Sequence, residues 1–330
     1  MRIAINGMGR IGRLLFRRLI EDKFIEVVAV NDIMPKENVA YLIKHDSVYG
    51  TFEPVLTQTE NKFFVNEKEI VALQIEDPLQ LPWNDMAIDL VIECSGRFSN
   101  KDGSSKHLKA GAKKVLLSTT GADDVPLMVY GFNHNEALSQ LDILSPGGCM
   151  TNCTTHVLNI LKRFEIQSAH IDIIHSYTSR QELVDAPHSQ FRRGRAAAES
   201  IIPVDIDLFQ SLNRLFPDLK NKIGTSSTRI PVANGAMANF YFQLSSEVTA
   251  REINELFKKA SNAELNTIVE YTEEQIVSID IKGNTHSCII DGTQTASIGN
   301  HLRLVAWFDN EYGFTSRMID WMNYLKNGIN

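Results

Sequence analysis

Cys149 and Cys153 lie four residues apart in Ser145-Pro-Gly-Gly-Cys-Met-Thr-Asn-Cys153, ahead of Val157, Leu158, Ile160, Leu161 and Phe164 at helical spacing. Cys149 therefore falls at or near a helix amino terminus, where free N–H groups and the helix dipole favour a thiolate, the nucleophilic form of cysteine. Cys153, one turn deeper on the same face, reads as packing. The C-x-x-x-C spacing lacks a second ligand pair, so no metal site is expected. In His170-Ile-Asp-Ile-Ile-His-Ser-Tyr177, alternation predicts a strand with Ile171, Ile173 and His175 on one face. His175 is then either a satisfied core histidine or, should the fold bring it to Cys149, a base for the thiol proton. The run Arg192-Arg-Gly-Arg195 is a compact basic cluster, open to reading as an anion contact, a solvated face or subunit salt bridges.

The elements that must position these groups begin at residue 2. An apolar strand pattern Arg2-Ile-Ala-Ile5 leads into Asn6-Gly-Met-Gly-Arg-Ile-Gly-Arg13 and then a helical pattern through Leu14, Leu15, Phe16, Leu19 and Ile20. A second strand, Ile25 to Val30, ends beside Asp32, 20 residues past Gly12. This is the dinucleotide-binding fingerprint in its strand–turn–helix context: Gly7 for the tight turn, Gly9 for approach of backbone to pyrophosphate, Gly12 for close helix packing. Asp32 can accept hydrogen bonds from ribose hydroxyls and would repel a 2′-phosphate, which favours NAD over NADP. Residues 89–94 and 114–118 read as further buried parallel strands whose small-residue ends, Ser95, Gly96, Ser118 and Thr119, are placed to line the nicotinamide side or simply to turn.

The whole chain agrees with this outline. Its 330 residues fit two domains, and 33 basic against 40 acidic residues leave a net charge of −7 with no basic field for nucleic acid or an anionic membrane. No stretch reads as a signal peptide or a membrane span, so a soluble cytoplasmic protein is expected, with its four cysteines as free thiols.

Taken together, Asn6–Arg13, Glu93-Cys-Ser-Gly-Arg-Phe98, Cys149–Cys153, His175-Ser-Tyr-Thr178, Arg192–Arg195 and Trp307-Phe-Asp-Asn-Glu-Tyr-Gly313 resemble the glyceraldehyde-3-phosphate dehydrogenase family from end to end. The resemblance implies an α/β fold: a Rossmann NAD-binding domain, 1–148, closed by the C-terminal helix at about 312–330, plus an α+β catalytic domain, 149–311, in a homotetramer. It implies that Cys149 attacks the aldehyde of a sugar phosphate and that His175 is the base. It also implies cofactor contacts from Arg10, Ile11, Asp32, Ser118 and Asn310, with Asn310 fixing the nicotinamide carboxamide. Thr178 and Arg229 match contacts to the substrate phosphate, and Arg192 or Arg195 a further anion contact.

Several positions depart from the family's usual residues. Gly148 and Met150 flank the nucleophile in place of serine and threonine, Ile206-Asp207 replaces threonine-glycine, and Arg180 replaces aspartate. Two changes remove donors to the inorganic phosphate that cleaves the thioester, and Asp207 adds a repelling charge. Ile201–Asp205 and His286–Thr295 look more like the erythrose-4-phosphate dehydrogenase branch, which releases its acid by hydrolysis. An NAD-dependent phospho-aldose dehydrogenase is expected. Its alternatives are that branch and an NAD-binding paralogue with a regulatory or interaction role.

Overall fold

The segment Arg2–Asn6 is apolar on both faces because it runs through the middle of a sheet, paired in parallel with Glu26–Asn31 on one side and Leu90–Glu93 on the other. A computed structural model describes residues 1–135 and 141–326. Outward from Leu90–Glu93 lie Lys114–Leu117 and Ile143–Leu144; outward from Glu26–Asn31 lies Lys68–Leu73, and all six strands are parallel. Two antiparallel strands, Lys62–Val65 and Leu56–Gln58, complete that edge. With the first strand central and the connections running out to both sides, this is the doubly wound Rossmann order, whose ligand crevice opens where the order reverses.

Contacts divide the chain into two compact units, Met1–Gly148 with Arg317–Asn330, and Cys149–Ser316. The helix Tyr312–Lys326 begins in the second and ends in the first; the remainder of the C-terminal segment expected to be helical, 327–330, lies outside the described residues. In the first unit its Trp321 is fully buried and meets Tyr130 edge-on, ring centroids 5.9 Å apart.

The second unit is built on a mixed sheet in the α+β manner. Its long strand Ile166–Ser176 pairs in parallel with Ile223–Ile230 and antiparallel with Ala236–Leu244, which continues to His301–Phe308. Ile171, Ile173 and His175 share the buried face as the alternation requires. On that sheet pack the helix Cys149–Leu161 and, against it, Leu208–Leu215.

Candidate active site

Cys149 is the first residue of its helix, and its Sγ lies 3.8 Å from His175 Nε2. The second unit thus joins a thiol and an imidazole separated by a helix–turn–strand passage. Strand register supplies the third member: His175 sits directly opposite Arg229 in the parallel pair, so both side chains project from one face. Arg229 Nη1 contacts His175 Nδ1 and donates to the Ser176 carbonyl at 3.1 Å. His175 Nδ1 also stands 2.7 Å from that carbonyl. Either neutral tautomer is therefore served: an Nδ1–H donates to Ser176 O and leaves Nε2 as acceptor, while a bare Nδ1 accepts from Arg229 and leaves Nε2–H facing sulfur.

His175 and Arg229 are only 3% and 7% exposed. Burial pushes the Cys149 thiol up to about 11, against the lowering influence of Arg229 and the N–H groups of Met150 and Cys149 itself; Asp309 adds to the rise. Burial, then Arg229, pulls His175 down to about 3, opposed by the Ser176 carbonyl. Burial also brings Arg229 down to about 10. The helix end expected to favour a thiolate acts through the N–H groups of Met150 and Cys149, and the burial of the pocket works against it.

Beside them opens a cleft of about 600 Å³ lined by Met150, Arg180, Arg193, Arg229, Asp205 and Asp207, among others. Arg229 Nε has no hydrogen-bond partner among the described residues and is buried, a donor set suited to an anion. Arg195 is exposed and pairs with Asp185 at 3.1 Å, Arg192 is exposed and does not line the cleft, and the member that does is Arg193, which donates to the Asp205 carbonyl at 3.2 Å. The 3-10 turn Phe191–Gly194 aims Arg192 and Arg193 in different directions, and Arg195 follows it in extended backbone. Thr178 is half-buried, its N–H donating to Gln181 and its hydroxyl accepting from Arg180 N, and it is not among the cleft-lining residues. Gly148 ends the first unit and likewise is not among them. Asp207 occupies the N-cap position of Leu208–Leu215 without capping it, leaving its carboxylate to the cleft.

Asn310 is held by its Oδ1, which accepts from Gly235 N at 2.8 Å and Ser176 Oγ at 3.2 Å. The preceding Asp309 accepts from the N–H groups of Glu311 and Tyr312 at 2.9 and 2.8 Å, starting the last helix.

In the first unit a cavity of about 220 Å³ lies over the strand ends, lined by Gly7, Gly9, Asp32 and Ser95 among others. Gly7 has φ +97°, and a Cβ there would meet Ser95 N at 2.3 Å; a Cβ on Gly12 would meet the Gly7 carbonyl at 2.0 Å. A Cβ on Gly9 would meet nothing within 4 Å, so that side of the loop is open to a ligand. Gly9 caps the helix Arg10–Leu19 without a side chain, and Arg10 and Ile11 form its first turn. The Arg10 guanidinium is engaged by Asp46 at 2.8 Å, which leaves the backbone as this residue's means of reaching a phosphate. Asp32 accepts from the N–H groups of Met8 and Met34, so one carboxylate fixes the glycine loop and still carries outward lone pairs. Ser118 N donates to the Glu93 carbonyl at 3.0 Å, and its hydroxyl bonds the Cys94 thiol, which burial pushes up to about 12. Ser95 lines this cavity and also serves the turn, its hydroxyl donating to Glu93 and accepting from Arg97 N.

Among the described residues there is no cluster of three or more metal-ligating side chains, and no helix long and apolar enough to cross a membrane. The family model "Glyceraldehyde 3-phosphate dehydrogenase, NAD binding domain" matches residues 1–101, and the corresponding "C-terminal domain" model matches residues 148–310. The chain is 38% identical over 327 residues to glyceraldehyde-3-phosphate dehydrogenase 1 of Bacillus cereus, covering 98% of each chain. It is 37% identical over 328 residues to glyceraldehyde-3-phosphate dehydrogenase 2 of Bacillus subtilis (strain 168), covering 98% of this chain and 96% of the other. It is 39% identical over 329 residues to glyceraldehyde-3-phosphate dehydrogenase of Borreliella burgdorferi, covering 97% and 98%.

Proposed function

Because the chain belongs to the glyceraldehyde-3-phosphate dehydrogenase family, we propose that it oxidises a phosphorylated aldose aldehyde, glyceraldehyde 3-phosphate, with NAD as cofactor. The observation that carries this reading is a helix-terminal thiol 3.8 Å from a buried imidazole. A buried guanidinium faces that imidazole from the neighbouring strand.

As Sγ of Cys149 bonds to the aldehyde carbon, its proton passes to His175 Nε2, and the carbonyl oxygen becomes the hydroxyl of a thiohemiacetal on Cys149. Nε2, once it has returned that first proton, is the base for the hydroxyl proton as the carbon is oxidised. Gly7, Gly9, Gly12, the first turn at Arg10 and Ile11, and Asp32 would hold NAD, which supplies a hydride acceptor when bound. Asn310, with Oδ1 turned to Gly235 and Ser176, offers its amide N–H groups to a carboxamide. Arg229 and Arg193 are assigned to the substrate phosphate, together with Thr178 as the family resemblance implies. The thioester left on Cys149 then goes to an acyl acceptor at Met150 and Asp207, a wall less suited to inorganic phosphate than a pair of hydroxyls. The relatives carry glyceraldehyde-3-phosphate dehydrogenase names, so the tetrose branch and the regulatory paralogue are not favoured.

A cytoplasmic homotetramer is the assembly and place that fit the family. Phe191, Ile201 and Val184, 89%, 74% and 74% exposed, are apolar side chains that a second copy would cover. The deciding assay is NADH formation by purified protein from glyceraldehyde 3-phosphate, with and without inorganic phosphate. NADH is expected and is lost in Cys149→Ser; no NADH from a protein that binds NAD would refute the reading.

A further inference from the structure

Beneath the dinucleotide cavity lies a buried polar chain that the chemistry at Cys149 does not use. Trp83 and His107 are fully buried and Glu93 is 2% exposed. Trp83 Nε1 can only donate, and it stands 3.0 Å from His107 Nδ1, so His107 carries its proton on Nε2 and donates it to Glu93 Oε2 at 2.9 Å. The same oxygen accepts from Asn6 Nδ2 at 2.6 Å. Oε1 accepts from Ser95 N at 2.7 Å and from the Ser95 hydroxyl. Four donors thus converge on one buried carboxylate and fill its acceptor positions.

The far ends of these bonds form the cavity. Asn6 Oδ1 accepts from Asn31 Nδ2 at 2.7 Å, and Asn31 clamps the peptide groups of Ile75 at 2.9 Å from both sides. The Cys94–Ser95 peptide, held by Glu93, is the surface on which Gly7 rests, leaving no space for a Cβ. Phe98, also on the cavity wall, sets its ring edge-on to His107 at 6.2 Å.

We propose that His107 and Glu93 are positioning residues for NAD: together they fix the ends of the strands Arg2–Asn6, Glu26–Asn31 and Leu90–Glu93, and through Ser95 the glycine loop that receives the pyrophosphate. Neither touches the cofactor. The hydrogen bond from His107 sets the rotamer of Glu93, and Glu93 sets Asn6 and Ser95. The inference rests on the reading of this cavity as the NAD site.

The test compares His107→Phe, which keeps ring volume but removes both polar atoms, with His107→Gln, whose amide can both accept from Trp83 and donate to Glu93. NAD affinity is measured by calorimetry, alongside thermal unfolding and steady-state kinetics. His107→Phe is expected to raise the NAD Kd and KM about tenfold, the scale of one lost hydrogen bond to a charged group. At saturating NAD its kcat and its KM for the aldehyde stay within about twofold, and His107→Gln returns most of the affinity. A folded His107→Phe with a lowered melting temperature but wild-type NAD Kd overturns the proposal, because a purely structural role predicts that result. If His107→Phe does not fold, Ser95→Ala, which removes one donor from Glu93 at the cavity wall, is read the same way: a raised Kd supports the proposal and an unchanged one overturns it. Failure of the unaltered protein to bind NAD would overturn the assignment of the cavity instead.

Discussion

Replacing Arg229 by glutamine tests how the guanidinium acts on the Cys149–His175 pair. Arg229 touches His175 Nδ1, whereas Cys149 lies beyond the ring, its Sγ 3.8 Å from Nε2. With charge centres about 5 Å apart for His175 and about 8 Å for Cys149, an effective dielectric of about 20 gives about 3 kcal/mol against the imidazolium and about 2 kcal/mol for the thiolate. Moving the proton from sulfur to nitrogen is therefore opposed by Arg229 by about 1 kcal/mol, roughly fivefold. Both directions agree with Arg229 lowering His175 and lowering Cys149. Arg229→Gln should raise the His175 pKa and speed alkylation of Cys149 by iodoacetamide at pH 7 about fivefold in the ligand-free protein. The same variant should lose about 10- to 100-fold in kcat/KM for the phosphorylated aldehyde, through a missing charge-assisted contact. Added sulfate should accelerate alkylation of the unaltered protein, by neutralising Arg229, and leave the variant unaffected. Slower alkylation in Arg229→Gln would refute the reasoning, since it would mean that the guanidinium acts chiefly on the sulfur.

Asp32→Ser should raise the NAD Kd about tenfold and narrow the preference over NADP, at a cost of about 1–2 kcal/mol in stability because two backbone donors lose their acceptor. Paired kcat/KM measurements with both cofactors check it, and an undiminished preference for NAD would count against Asp32 as the discriminating charge. The double substitution Met150→Thr with Asp207→Gly should lower the KM for inorganic phosphate about tenfold, restoring a donor and removing a repelling charge in the cleft. Initial rates against phosphate concentration decide it; an unchanged KM would show that neither residue governs the acyl acceptor.

What the sequence revealed follows from how local each determinant is. The glycine turn was legible because three glycines and an acid at fixed offsets answer to a single strand–turn–helix unit, and Cys149 because a helix start is written in the residues that follow it. The face of His175 followed from alternation, but its meeting with Arg229 depends on the register of two strands more than 50 residues apart, as the hydrogen bond between them records. Arg193 was missed in favour of Arg192 and Arg195 because composition cannot say which side chain of a one-turn element faces inward. The opposing pull of burial on the Cys149 thiol was not legible for another reason: a helix terminus is visible in sequence, whereas desolvation is a property of the folded pocket. Glu93 entered only as part of the Glu93–Phe98 motif and its pairing with His107 gave no signal, since a carboxylate satisfied by Asn6, 87 residues away, looks like any strand-end acid.

The helix Tyr312–Lys326 has a consequence for biosynthesis. Because the first unit draws on Arg317 and the residues after it, and because Trp321 fills a fully buried place against Tyr130, its amino-terminal part leaves the ribosome with an apolar site still vacant. The intervening unit, Cys149–Ser316, is contiguous in sequence and can assemble during translation. The nucleotide-binding half thus begins before the intervening unit and closes only after it, so its native packing waits for the segment from Arg317 to Lys326.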